Sequence, residues 1–154
     1  MPAARPARDQ ALEQLDTRAL ETLIGYDVRR ASLVLTDVFA KRMAPLGVGP
    51  VAFTLLLLIA ANPGITGSQL CALLDLRSSN LVGLVKQLTD RALVERRQHP
   101  RDVRALSLQL TDEGHRFTQK AYEVALAAGV EGTHGLSPDE RATLARLLRK
   151  VYRT

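Results

Sequence analysis

Apolar side chains recur along this chain with two different periods. From Arg18 to about Ala44, Leu20, Leu23, Ile24, Val28, Ala31, Leu35, Val38 and Phe39 fall mostly three and four residues apart, which predicts one long amphipathic helix. PLGVGP (residues 45–50) ends it. Pro50 suits the first turn of a second helix, VAFTLLLLIAA (residues 51–61), which is apolar nearly all round and so predicted to be buried. Asn62, Pro63 and Gly64 stop that helix. TGSQ (residues 66–69) has the capping-box form, a hydroxyl cap with glutamine three residues on, and opens a short helix through Leu74. Asp75 to Arg77 make a tight break, after which Ser78 or Ser79 caps a fourth helix running to about Ala92. Two short helices joined so closely form a helix-turn-helix pattern.

The period then changes to two. In VRALSLQL (residues 103–110), Leu106, Leu108 and Leu110 alternate with small or polar residues, which predicts a strand with its leucines on one buried face. LVERR (residues 93–97) is the other arm, and His99, Pro100, Arg101 and Asp102 form a turn-rich tip. A two-stranded hairpin is marginal alone and has to pack on the helices before it. Thr111 caps a long helix. SPDE (residues 137–140) caps the last one, where Leu144, Leu147, Leu148 and Val151 continue the helical stripe. The expected class is mainly α with a small β-hairpin, in a single domain over residues 17–154. Residues 1–16 are poor in large apolar groups and expected to be flexible.

Charge sharpens this picture. Seven of the chain's 21 Lys and Arg lie between Arg77 and Arg104, against three of its 16 Asp and Glu, so nearly all of the net +5 sits in one stretch. Concentrated positive charge points to a polyanionic partner. A helix-turn-helix followed at once by a basic hairpin is the winged-helix arrangement. Its recognition helix enters the major groove of double-stranded DNA, and the hairpin reaches the adjacent minor groove. On the fourth helix, Leu81, Leu84, Val85 and Leu88 form an inward face. Ser79, Asn80, Gly83, Lys86 and Gln87 lie opposite, and Ser78 stands at the helix start. Ser79 and Asn80 can read base edges, whereas Lys86 and Gln87 suit phosphate. An ordinary solvated face would carry more glutamate and lysine.

DVRALSLQLTDEG (residues 102–114) resembles the signature of the MarR (multiple antibiotic resistance regulator) family: Asp-x-Arg, a leucine-alternating strand, Leu-Thr, then Gly three residues later. LVKQLTDRALVERR (residues 84–97) is similar to that family's junction of recognition helix and wing. The resemblance covers about residues 18–153. It implies a homodimeric transcription regulator, with dimerisation helices over residues 18–62 and 112–153 and a winged helix-turn-helix lobe over residues 63–111. It implies that Arg104 enters the minor groove, oriented by Asp102; Arg101 is a further candidate at the tip. The operator would be pseudo-palindromic, with half-sites about 10 base pairs apart. Asp75 stands where the family commonly has glycine, and aspartate tolerates the left-handed conformation such a turn needs.

The resemblance also implies a small effector held between the dimer helices and the DNA-binding lobe. That cleft would be lined by GYDVRRA (residues 25–31) and the second helix, giving Tyr26, Arg29, Arg30 and Phe53 as ligand-binding candidates. An aromatic beside two cations suits an anionic aromatic ligand, and the segment is similar to the subgroup answering to aromatic acids or their coenzyme A thioesters. Ion pairs between the two arginines and neighbouring carboxylates would account for them equally well.

Other chemistry finds little support. The three histidines, His99, His115 and His134, are isolated in different elements, and the single cysteine, Cys71, excludes an internal disulfide and reads as a small core residue. No catalytic residues, metal site or cofactor are expected, and an enzyme is not. The longest apolar run, residues 51–61, falls short of the roughly 20 residues a membrane span needs. No signal-peptide pattern precedes it, so a cytoplasmic protein without a membrane partner is expected. The expected function is a DNA-binding repressor released by a small ligand. The alternative is a winged-helix protein-interaction module without DNA binding, for which an acidic or apolar wing would speak.

Overall fold

A computed structural model describes residues 16–99 and 102–153, with backbone alone at residue 99 and residues 102–105. Most of the segment expected to be flexible lies outside the described residues, as does part of the hairpin tip.

The expected first helix is two. α1 (Arg18–Glu21) and α2 (Ile24–Met43) are separated at Leu23, which is extended (φ −101°, ψ 108°). The Thr22 hydroxyl donates to the Ala19 carbonyl, the acceptor a continuing helix would give to the Leu23 amide. That amide turns instead to the Leu20 carbonyl, 2.9 Å away. Beyond Met43, a short 3-10 turn and Gly47 in the left-handed region (φ 61°) lead into α3 (Pro50–Ala61), whose Ala52, Phe53, Leu55, Leu56 and Ile59 are buried.

β1 (Ile65–Thr66), α4 (Gly67–Leu74), α5 (Ser78–Asp90), β2 (Val94–His99) and β3 (Asp102–Leu110) follow, then α6 (Asp112–Gly132) and α7 (Pro138–Tyr152). The sheet has three antiparallel strands in the order β1-β3-β2, one more than the expected hairpin. β1 pairs Ile65 with Leu108 and Thr66 with Ser107. Two residues are too few to show a period, and Thr66 also caps α4: its hydroxyl accepts from the Gln69 amide while Gln69 accepts from the Thr66 amide. The leucine face of β3 is only partly covered. Leu108 and Leu110 are 4% and 8% exposed, but Leu106, beyond the end of β1, is 55% exposed. Ser107, on the face expected to be open, is buried on the central strand and donates to the Arg97 carbonyl.

One aliphatic core joins α3, α4, α5 and the sheet through Leu55, Leu56, Leu70, Leu81, Val85 and Val94. The long helices behave differently. α2 buries only Met43, and α1 and α7 bury nothing. Apolar side chains stand in solvent on these helices and on α6, among them Leu20, Ile24, Val28, Leu126, Val130, Leu147 and Val151. Among the described residues, no single helix is long and apolar enough to cross a membrane.

Candidate nucleic-acid interface

The turn between α4 and α5 is made by Asp75, which adopts φ 49° and ψ 45°, the left-handed region that aspartate enters more readily than most residues. Its amide and that of Leu76 both donate to the Cys71 carbonyl, so α4 stops within one residue. The N-cap of α5 is Arg77 (φ −68°, ψ 140°), and no side chain caps the helix. The expected serine cap is therefore corrected. A capping residue must be non-helical, and Ser78 and Ser79 already belong to the first turn. The leading amides of α5, at the positive end of the helix dipole, are left without a side-chain acceptor, an environment that favours an anion.

Along α5, Leu81, Val85 and Leu88 are buried and Leu84 is half-buried, as the periodicity predicts. Ser78, Ser79, Asn80, Gly83, Lys86 and Gln87 are all exposed, so the structure gathers these six candidates on one outward surface. Lys86 lies 2.6 Å from Asp90 one turn on, but both side chains are well solvated, and such a pair contributes little. Arg77, at the helix start, and Val82 are exposed as well and were not among the candidates: Arg77 reads as part of the turn, and Val82 is neither polar nor a member of the inward apolar face.

Arg96, Arg97 and Gln98 of β2 are exposed; Arg96 lines the cleft against α5, whereas Arg97 points to the other face of the strand and pairs with Glu95 at 2.6 Å. The pairing of the two wing strands slips near the tip. Gln98 opposes Leu106 and His99 opposes Asp102, so residues 103–105 face no partner in β2. Asp102 and Arg104 lie on this irregular part of β3. Their side chains, the contact expected between them, and Arg101 lie outside the described residues. A cleft of about 310 Å³ separates α5 from the wing, bounded by Leu81, Val82 and Val85 on one side and Arg96, Leu106 and Leu108 on the other.

Arg91, another member of the basic stretch, serves the fold. Its guanidinium donates to the Gly47 and Leu46 carbonyls at 3.0 and 2.9 Å and stacks on Phe117. The ligand candidates divide. Tyr26, Arg29 and Arg30 stand on the first turns of α2, both arginines exposed and, among the described residues, neither paired with a carboxylate. Phe53 is in the core, its ring centroid 5.6 Å from that of Phe39. Phe39 is 9 residues beyond Arg30, roughly 14 Å along the helix, so within one protomer Phe53 is not part of that group. Among the described residues, no group of three or more His, Cys, Asp and Glu side chains could hold a metal ion.

A model of the MarR family matches residues 46–105, the segment from the end of the 3-10 turn into the wing. A putative transcriptional regulatory protein for the hcr operon of Thauera aromatica is 30% identical over 131 residues, covering 84% of this chain and 79% of that protein. The chain belongs to the MarR family. Its fold agrees with MarR-family structures. The transcriptional repressor CouR, solved bound to a 23-mer DNA duplex, is 30% identical with a TM-score of 0.83, covering 90% of this chain and 98% of its own. Wild-type MarR from E. coli, in its apo form, is 25% identical with a TM-score of 0.74, over 84% and 97%. Proteins of this family are transcriptional regulators and not enzymes, and the family model spans α3, α4, α5 and β2 and enters β3.

Proposed function

We propose that this protein is a homodimeric, sequence-specific DNA-binding repressor that leaves a pseudo-palindromic operator when a small anionic aromatic ligand binds. The observation that carries the reading is the exposed surface of α5, mostly polar from Ser78 to Gln87, uncapped at its head and faced across a cleft by Arg96. In this reading Ser79 and Asn80 meet base edges in the major groove, Lys86 and Gln87 meet phosphate, and Arg104, set by Asp102, enters the minor groove with Arg101 beside it. CouR, a repressor bound to duplex DNA, supports the same use of the fold.

The dimer reading rests on α7. Its stripe of Leu144, Leu147, Leu148 and Val151 buries nothing within the chain, and a helix of this length gains most of its stability from packing such a stripe. Residues 18–62 and 112–153 would form the dimer helices and 63–111 the DNA-binding lobe. The ligand reading rests on Tyr26 with the exposed Arg29 and Arg30, which among the described residues have no carboxylate partner. These present an aromatic and two cations to a carboxylate or to the phosphates of coenzyme A, with an aromatic acid or its coenzyme A thioester as the class. Phe53 would join them only through the partner subunit.

Selection of bound duplexes from a random library, followed by titration at several salt concentrations, tests the reading. A preferred inverted repeat with half-sites about 10 base pairs apart is expected. Arg104→Ala should make log K shallower in log salt by about 2 per dimer, at roughly 0.9 per contact. Asn80→Ala should cut discrimination between operator and random DNA with little change of slope. No preferred duplex, or an unchanged slope in Arg104→Ala, overturns it. Anionic aromatic acids should weaken the complex, and equal ligand binding by Arg29→Ala and Arg30→Ala would remove them from the ligand site.

A further inference from the structure

Two adjacent residues of α5 carry costs that the fold itself does not offset. Val82 is 59% exposed, although Leu81 before it is 4% exposed. It lies one turn after Ser78 and Ser79 and one turn before Lys86, amid the polar face. A β-branched side chain is no help to an exposed helix position. The wing does not cover it, because Leu106 across the cleft is itself 55% exposed. Beside it is Gly83, in the middle of a 13-residue helix, where an added Cβ would meet nothing within 4 Å. The backbone there is helical and needs no glycine, which is among the poorest helix formers.

Both features become useful if a surface presses close against the helix at this point. A bare Gly83 lets the backbone approach, and Val82 then supplies an apolar contact. The floor of the major groove offers one apolar group, the 5-methyl of thymine, and apolar side chains are what recognise it. We propose that Val82 packs on a thymine methyl in each half-site and that Gly83 sets the depth at which α5 sits. Val82 is then a specificity-determining residue among hydrogen-bonding neighbours. The inference rests on the reading of α5 as the DNA-binding helix.

The test replaces each thymine of the selected duplex in turn with uracil, which differs only by that methyl group. At one symmetric pair of positions uracil should weaken wild-type binding about fourfold per half-site, the worth of one buried methyl group. Val82→Ser, an exposed substitution checked by its melting curve, should bind the thymine and uracil duplexes equally. Gly83→Ala should melt higher than wild type yet bind the operator more weakly, a crossing that a purely structural glycine would not give. A wild type indifferent to uracil at every position, or a Val82→Ser variant that still discriminates, overturns the inference while leaving DNA binding intact. Failure to select any preferred duplex overturns the DNA-binding reading, and this inference with it.

Discussion

The guanidinium carbon of Arg91 lies 4.8 Å from the centroid of the Phe117 ring, while its two terminal nitrogens hold the Leu46 and Gly47 carbonyls. One side chain thus ties the end of α5 to the α2–α3 connection and to α6. Planar stacking and a two-carbonyl fork are properties of arginine that lysine does not share. Arg91→Lys should lose about 1 kcal/mol of unfolding free energy in denaturant titrations, from weakened stacking and hydrogen bonding at a partly solvated site. The charge is engaged within the protein, so Arg91→Met should leave the salt slope of DNA binding at its wild-type value. A slope shallower by about one per subunit would reassign Arg91 to the phosphates.

Gly114 explains the family's Leu-Thr-x-x-Gly spacing in physical terms. Thr111 caps α6 by accepting from the Gly114 amide at 2.9 Å, and its own hydroxyl donates to the Ala92 carbonyl at 2.6 Å. That draws the first turn of α6 onto the start of β2, where a Cβ at residue 114 would lie 1.9 Å from the Leu93 carbonyl oxygen. Gly114→Ala should destabilise the protein by about 3 kcal/mol, since the obstacle is backbone and cannot rotate aside. Gly83→Ala, in open space, is the control. Equal melting temperatures for Gly114→Ala and wild type would show that the two elements separate freely.

The solvent-facing stripe on α7 predicts association. Sedimentation of the wild type at micromolar concentration should give a dimer. Leu147→Glu with Val151→Glu should give a monomer with less helix, because a 15-residue helix is marginal in water without packing. A stable wild-type monomer with α7 formed would refute the dimer.

Acid should loosen the same helix. The Ser137 amide donates to Glu140 at 2.8 Å, and the Ser137 hydroxyl adds a second bond, so the Glu140 carboxyl is held below its ordinary 4.5. A lowered carboxylate pKa stabilises the folded state above the ordinary value, and the contribution is lost as pH falls through the lowered one. Glu140→Gln keeps an acceptor that does not titrate. The stability difference between wild type and Glu140→Gln, read from melting curves between about pH 6 and 3, should favour the wild type at the upper end and vanish at the lower. A difference that does not change with pH would mean that the ionised form is not what the cap holds.

Local chemistry made most of the winged helix legible. TGSQ and SPDE announce their helix starts because capping is decided by residues three apart, and both boxes are formed. The Leu81, Val85 and Leu88 face follows from period alone. What was not legible depended on contacts distant in sequence or on backbone angles. β1 exists because β3 offers a free edge to two residues, and Arg77 caps α5 because the turn at Asp75 leaves it non-helical. The break at Leu23 arises from one threonine hydroxyl competing for a carbonyl, against an apolar pattern that runs straight through. On the candidate surface, the polar residues of α5 were readable. Val82 was not: it falls outside the inward period of Leu81, Leu84, Val85 and Leu88, but only the structure shows an apolar side chain exposed among the polar ones.

The joint at Thr111 has a mechanical meaning. β3 runs from Asp102 to Leu110 directly into that cap, and the 21-residue α6 continues from it. Nine residues of strand make a rod ~30 Å long, so each degree of rotation at the joint swings the tip by about 0.5 Å. A minor groove is about 6 Å wide and about 7.5 Å deep, so if the wing seats there as proposed, a tilt of some fifteen degrees between the long helices and the lobe would lift its tip clear. The strand is a pointer whose scale is set at the opposite end of the protein.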